Sequence, residues 1–439
     1  MNAIVRRSKI KGGIIAPPSK SYTHRAIAIA SLGKKSDIFY PLISEDTTAT
    51  LNAAKCLGAV VEYDEKSRKI MIEGTEGKPR TPEDVINAAN SGTTLRFFTA
   101  ISSLCDGATV LTGDSSLRKR PNSPLLVALN DLGSEAFSTK GDGTAPIVVK
   151  GRLKGGETAL DASVSSQFIS ALLIACPLAE KNSHIVARNL TSVPYMIMTA
   201  EILEKAGVEV PFSRVHDSHY SFQVEGGKRY ELREFTVPGD FSSSSYLLAA
   251  AALTDSELKV SNLFPSAQGD SRIVGILNDV GADIRWDEER GIVEVKGAKG
   301  TGLMGIRVNM RENPDLVPTI AVIGAVAEGP TEITGVAHLR YKETDRLRFL
   351  TEELRRMGAR IEEKEEGLLI EGSKGRELKA AKVHSHGDHR LAMALSIAAL
   401  SASGETVIEG AECAKVSYPS FFEDIRNLGA DIKLSSLKT

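Results

Sequence analysis

Two helical patterns alternate along the chain, and each returns at a nearly fixed interval. The first is amphipathic and stops at a glycine before an alternating strand. It appears in "LNAAKCLGAVVEYD", "LLVALNDLGSEAFS", "ILEKAGVEVPFS", "VGILNDVGADIRWD", "LRRMGARIEE" and "IRNLGADIKLS". The stops are Gly58, Gly133, Gly207, Gly281, Gly358 and Gly429, spaced 71 to 77 residues apart. Glycine there supplies the left-handed conformation that ends a helix. The second pattern is small and apolar all round: "SKSYTHRAIAIASL", "NSGTTLRFFTAISSL", "SSQFISALLIACPL", "GDFSSSSYLLAAAAL", "NPDLVPTIAVIGAVA" and "GDHRLAMALSIAAL". A helix with no solvent face belongs in a core. Its openers, Ser19, Asn90, Ser165, Asp240, Asp315 and Asp388, recur every 71 to 75 residues and read as N-caps.

Each repeat therefore predicts a strand, a buried helix, a strand, an amphipathic helix and a hairpin, six times over. In the first repeat these are "GGIIAP", "SKSYTHRAIAIASLG", "KSDIFYPL", "TTATLNAAKCLGA" and the hairpin "VVEYD-EKSR-KIMIEG". The last repeat stops after one hairpin strand, "DIKLSS", and the N-terminal "AIVRRSKIKG" lacks a partner. Pairing the two closes the repeat and puts both termini in one domain. Six such repeats exceed one compact core, so they divide into domains. Helices inside and strands outside predict an inverted α/β arrangement.

Composition adds exclusions. The 439 residues are 42% hydrophobic and 25% charged, with a net charge of -2. That leaves no broad basic field for nucleic acid. Cys56, Cys105, Cys176 and Cys413 are scattered without a CxxC and read as reduced thiols. The start "MNAIVRRSKIKGG" has no apolar signal core. The longest apolar runs, such as "ALLIACPLA", reach about half a membrane span. A soluble cytoplasmic protein is expected, with no metal, nucleotide or flavin. The stretch "HSHGDHR" at 384–390 is the one metal candidate, and no Cys or further carboxylate stands beside it in sequence.

The chemistry gathers at the buried-helix starts. Lys20, Ser21 and Arg25 occupy a helix end that already carries positive partial charge. Two cations there predict an arriving anion. "NSGTTLR" adds Asn90, Gly92, Thr93, Thr94 and Arg96, and the third start adds Ser165, Ser166 and Gln167. The fifth brings Asp315, and the sixth Asp388, His389 and Arg390. Between them lie Arg118, Lys119 and Arg120, the "KETDRLR" stretch, and Lys415. Lys342 and Arg346, four apart, are expected on one helix face. Each motif alone reads as a cap, a turn or a solvated face. In phase with the repeat, they predict a site for a substrate with several negative charges. Asp315 and Glu343 are its candidate proton-transfer carboxylates.

The stretches "SKSYTHR" (19–25), "NSGTTLR" (90–96), "RP" (120–121), "SSQF" (165–168), "SVPY" (192–195), "GDFSSSSY" (239–246), "PD" (314–315), "KETDR" (342–346) and "DHR" (388–390) resemble the enolpyruvyl transferase family. The resemblance runs through essentially the whole chain. It implies an α/β fold of two similar domains, each of three βαβαββ units with buried parallel helices: the inside-out α/β barrel, or EPT fold. It implies that residues 1–16 with 236–439 form one domain and 17–235 the other, with the active site in the cleft between them. It also implies a monomer that needs no cofactor. The implied reaction moves the enolpyruvyl group of phosphoenolpyruvate to the 5-hydroxyl of shikimate 3-phosphate and releases phosphate. It proceeds by addition and elimination through a tetrahedral intermediate, in aromatic amino acid biosynthesis.

Carried over residue by residue, the resemblance puts shikimate 3-phosphate on Lys20, Ser21, Arg25, Ser165, Ser166, Gln167, Ser192, Tyr195, Asp315, His338 and Lys342. It puts phosphoenolpyruvate on Lys20, Asn90, Gly92, Arg120, Gln167, Arg346, His389, Arg390 and Lys415. Asp315 is the implied base toward the 5-hydroxyl. Glu343, with Lys20, is implied at the C3 proton. Two positions depart from the family: His338 replaces a common Asn, and Phe97 a common Pro. Gly92 is the small residue of glyphosate-sensitive forms, so glyphosate is an expected inhibitor. A sister branch acting on UDP-N-acetylglucosamine carries Lys-Asn where this chain has Lys20-Ser21, and a reactive Cys in the loop that here reads "GDSSLRKRPNSP". A non-catalytic phosphate-binding repeat protein would have no need of Asp315 paired with Glu343.

Overall fold

The computed structural model describes residues 1–254, 256–297, 302–373 and 377–435. The chain forms two compact units, Lys20–Val237 and Met1–Ser19 with Pro238–Thr439. Their boundaries fall at 19/20 and 237/238, against 16/17 and 235/236 in the sequence reading.

The unit from Lys20 to Val237 contains α1 (Lys20–Ala30), α2 (Glu45–Cys56), α3 (Gly92–Ser102), α4 (Ser123–Asp131), α5 (Gln167–Ala175) and α6 (Val193–Lys205). The small apolar patterns are α1, α3 and α5. Every residue of α5 after Gln167 is buried, and every residue of α3 except Thr93. α3 packs on α5 and α1. By contrast α2 leaves Asn52 and Lys55 exposed, as an amphipathic helix should. Three four-stranded sheets accompany these helices. Strands such as Lys35–Phe39 and Ser183–Arg188 alternate in burial, so one face turns inward and the other to solvent. One sheet shows the common order. Ile86–Asn87 pairs parallel with Ala108–Thr112, which pairs antiparallel with Ile147–Lys150, which in turn pairs with Glu135–Ser138.

The other unit contains α7 (Phe241–Leu253), α8 (Arg272–Asp279), α9 (Val317–Val326), α10 (Arg346–Arg356), α11 (His389–Ser401) and α12 (Phe421–Asn427). Here α7, α9 and α11 are the buried set, packed on one another. The terminal strands Asn2–Arg6 and Ile432–Ser435 pair antiparallel, with Val5 opposite Ile432, which is the closure the repeat phase predicts. All six stop glycines have φ between 82° and 111°, a region that side chains with a Cβ disfavour. Among the described residues no helix is long and apolar enough to cross a membrane.

The repeat phase groups "GGIIAP" with α1, while the implied domain bounds leave residues up to 16 in the other unit. The strand Lys11–Ile15 pairs parallel with Glu257–Ser261 in the α7 unit, in line with those bounds. The strand beside Lys35–Phe39 is Glu234–Thr236. The chain changes units just after each of these strands. Each strand therefore stays in the unit being left, while the helix that follows it joins the next.

Candidate active-site residues

In the α7–α12 unit the site begins with a cap. Asp345 accepts a hydrogen bond from the Arg348 N–H at 3.1 Å, so α10 starts at Arg346. This overturns the shared helix face expected for Lys342 and Arg346. Lys342 has extended backbone ahead of the cap, because Asp345 ends the non-helical stretch in between. Arg346 is buried and spreads its guanidinium over three carboxylates. Its Nε donates to Asp388 Oδ2 at 2.7 Å, its Nη1 to Asp315 Oδ1 at 3.1 Å and its Nη2 to Glu343 Oε2 at 2.5 Å. Arg390 Nη2 donates to the second Asp315 oxygen at 2.6 Å. Burial alone would raise the Asp315 pKa. Arg390, Arg346 and Lys342 outweigh it and hold the carboxyl well below the usual range.

The openers divide by use. Asp240 and Asp388 cap α7 and α11, accepting from Ser242 N–H at 3.3 Å and Arg390 N–H at 2.9 Å. Asp315, expected as a cap, lies in a short 3-10 turn, Pro314–Leu316, with its carboxylate on the two arginines. Asn90, also expected as a cap, is not one. Ser91 takes that role for α3, accepting from Thr94 N–H at 3.1 Å. Asn90 instead donates to Asp114 at 2.6 Å and accepts from Arg120 Nη2 at 2.9 Å.

His338 is 4% exposed, and its Nε2 is buried without a hydrogen-bond partner. Burial first, then the Lys342 charge, pushes its pKa down to about 3. In the unfolded chain a histidine titrates near about 6.5. The unfolded state therefore binds a proton that the folded state refuses. Stability from this group is complete above that pH and is lost as pH falls toward 3. His338→Asn is expected to lose less stability than the parent between pH 7.5 and pH 5, by up to about 2 kcal/mol. Urea unfolding at the two pH values checks this, and equal losses would contradict it.

Sequence reasoning missed Asp270. It is fully buried, accepts from Ser242 Oγ, and accepts from Asn313 Nδ2 at 3.4 Å. Burial and then the Asp315 charge push it up to about 6. Its stretch "AQGDS" signals only a helix start. His389 lies buried in the first turn of α11. Lys415 is exposed on the short 3-10 helix Ala411–Val416, which packs against α11.

In the α1–α6 unit Lys20, one of the two cations expected to await an anion, already has a counter-ion within the protein. Its Nζ bonds Asp46 Oδ2 at 2.9 Å. Asp46 comes from the first turn of α2, whose capping box of Ser44 and Thr47 fixes that helix start. Arg25 is different. It is 2% exposed, and its hydrogen bonds go to neutral groups: Thr199 Oγ1 at 2.8 Å, Ser21 O at 3.0 Å, Tyr195 O at 2.7 Å and Ser170 Oγ at 3.4 Å. The Phe97 ring lies 5.4 Å from its guanidinium. Burial lowers its pKa to about 10, which leaves it charged at neutral pH. A buried cation held by neutral groups favours any anion that reaches it.

A second group joins three helix starts, the third through Arg96 Nε, which donates to Asn122 Oδ1 ahead of α4 at 3.2 Å. Arg96 Nη1 donates to Gln167 Oε1 at 2.7 Å and to Ser165 Oγ at 3.1 Å, and Gln167 Nε2 donates to Thr93 Oγ1 at 2.9 Å. A Cβ at Gly92 would lie 3.1 Å from Arg120 Nη1 and 3.7 Å from Gln167 Oε1. The structure thus brings Asn90, Gly92, Arg120, Ser165 and Gln167 together, with Arg96, which the resemblance assigns to neither substrate, linking Ser165 and Gln167. Ser166 stands at the N-cap position of α5. Ser192 precedes α6 in the left-handed region, with φ 56°, and Tyr195 is in the first turn of α6.

Comparison with known proteins agrees over nearly the full length. A chain named 3-phosphoshikimate 1-carboxyvinyltransferase from Methanococcoides burtonii is 53% identical over 436 residues, covering 99% of this chain and 100% of that one. One of the same name from Methanosarcina mazei is 52% identical over 435 residues, covering 99% of each. The solved EPSP synthase structure from Acinetobacter baumannii superposes with a TM-score of 0.81 at 28% identity, covering 99% of this chain and 100% of that one. The family model for EPSP synthase (3-phosphoshikimate 1-carboxyvinyltransferase) matches residues 4–425, a span that holds every residue of both groups. The chain belongs to the EPSP synthase family.

Proposed function

We propose that the chain transfers the enolpyruvyl group of phosphoenolpyruvate to the 5-hydroxyl of shikimate 3-phosphate and releases phosphate, and that both residue groups serve these two substrates. Each substrate is a phosphorylated carboxylate. The observation that carries the reading is Arg25, a buried guanidinium whose hydrogen bonds all go to neutral groups. Shikimate 3-phosphate is assigned to Arg25, Lys20, Ser21, Ser165, Ser166, Gln167, Ser192, Tyr195, Asp315, His338 and Lys342. Phosphoenolpyruvate is assigned to Lys20, Asn90, Gly92, Arg120, Gln167, Arg346, His389, Arg390 and Lys415. The chain acts as a cytoplasmic monomer, with glyphosate as an inhibitor.

The chemistry follows from Asp315. Its carboxylate takes the 5-hydroxyl proton as that oxygen bonds to C2, while Glu343, with Lys20, delivers a proton to C3. The adduct then expels phosphate and returns the C3 proton. A carboxylate under two guanidiniums is a weak base. Substrate anions on Arg346 and Arg390 offset that positive field, so the Asp315 proton affinity rises as the substrates bind.

The test is product identity. Incubation with both substrates is expected to give an enol ether at O5, visible by NMR, and UDP-N-acetylglucosamine in place of the shikimate is expected to give none. The reverse result would move the chain to the sister activity. Gly92→Ala is expected to raise the KM for phosphoenolpyruvate several-fold, because the added methyl crowds Arg120 Nη1. Steady-state kinetics with an unchanged KM would contradict the assignment of that pocket.

A further inference from the structure

One face of α10 makes contacts beyond those of Arg346. Arg346, Phe349 and Glu353 recur at intervals of three and four along the helix, so they share one stripe. All three grip the same turn, His384 to Asp388. Arg346 holds Asp388. The Phe349 ring stacks on His386 with centroids 3.9 Å apart and planes at 21°. Glu353, 2% exposed, accepts from the His384 N–H at 3.0 Å through Oε2, and its Oε1 lies 2.9 Å from His386 Nε2.

The gripped turn has a backbone that needs holding. His386 and Gly387 have φ of 53° and 73°. A histidine in that region is locally disfavoured, so its surroundings must fix it. The His386 N–H donates to His384 Nδ1 at 2.7 Å, which requires a lone pair on that nitrogen. A carboxylate facing His386 Nε2 requires the proton there. Across the turn, Ser385 donates through Oγ to Gly410 O at 2.9 Å and through N–H to Glu409 O at 3.0 Å. Among the described residues no group of three His, Cys, Asp or Glu could hold a metal ion. The turn ends at Asp388, which caps α11 by accepting from the Arg390 N–H, and Arg390 reaches Asp315. An unbroken path therefore runs from Glu353 through His386 and Asp388 to Arg390.

We propose that Glu353 and His386 are positioning residues for Arg390, setting the orientation in which it meets an anion. This rests on the assignment of Arg390 to phosphoenolpyruvate. A grip that only stabilised the fold would alter melting and leave the two substrates equally affected. A grip that aims Arg390 alters one substrate.

The test compares the parent with His386→Leu, which removes the bond to Glu353, and His386→Gln, which keeps a donor able to reach it. His386→Leu is expected to raise the KM for phosphoenolpyruvate about tenfold. The KM for shikimate 3-phosphate should stay within about twofold. His386→Gln should recover most of the loss. If His386→Leu does not fold, Phe349→Leu, which removes the ring under His386, carries the same expectation. Equal rises in both KM values, no rise at all, or a glutamine variant as impaired as the leucine variant would each overturn the proposal while the parent turns over. A parent without turnover would overturn the functional reading, and this proposal with it.

Discussion

Asp315→Asn is expected to lower kcat by about a thousandfold, the range general-base removal commonly spans. The substitution keeps the side-chain shape and removes the charge. The variant therefore cannot take the 5-hydroxyl proton, yet it leaves Arg346 and Arg390 in place. Those arginines lose their shared carboxylate and become more available to substrate anions. The KM for phosphoenolpyruvate is accordingly expected to stay level or fall while kcat collapses. That split separates a lost base from a damaged site. Steady-state kinetics in both substrates measures it. A kcat near the parent value would remove Asp315 from the chemistry, and a raised KM with kcat intact would recast it as a binding group.

Arg346→Gln is expected to be the most damaging single change to stability, costing about 3–5 kcal/mol. The guanidinium is buried between Asp388, which is fully buried, and the less enclosed Asp315 and Glu343. Removing it leaves Asp388 ionised in the interior without its ion-pair partner, and that uncompensated burial dominates the cost. Arg346→Lys should recover little. One ammonium cannot reach three carboxylates with the fork of a guanidinium. Urea unfolding of the three proteins at neutral pH checks this, and a lysine variant as stable as the parent would contradict it.

The sequence made some features legible and hid others for physical reasons. Gly58, Gly133 and their four counterparts mark helix ends because a left-handed stop is a local requirement. α3 and α5 announce their burial because a helix with no polar face has nowhere else to go. The terminal pairing of Asn2–Arg6 with Ile432–Ser435 followed from counting strands. The strand partners of Lys11–Ile15 and Glu234–Thr236 are legible in no local pattern, because they depend on where the chain crosses over; only the family resemblance carried those crossings, at 16/17 and 235/236. The site divides in the same way. Asp315, Arg346 and Arg390 stand in motifs. Asp46 pairs with Lys20 from the next helix, and Asp270 lies in a stretch that signals only a helix start. Lys342 falls outside α10 because Asp345 caps the helix start three residues later, within an otherwise helical pattern.

The most direct measurement of the central claim is phosphate release from phosphoenolpyruvate, followed with and without shikimate 3-phosphate in the parent and in Asp315→Asn. Release is expected to require the shikimate and to nearly vanish in the variant. Release that proceeds without the shikimate, or that survives unchanged in the variant, would contradict it.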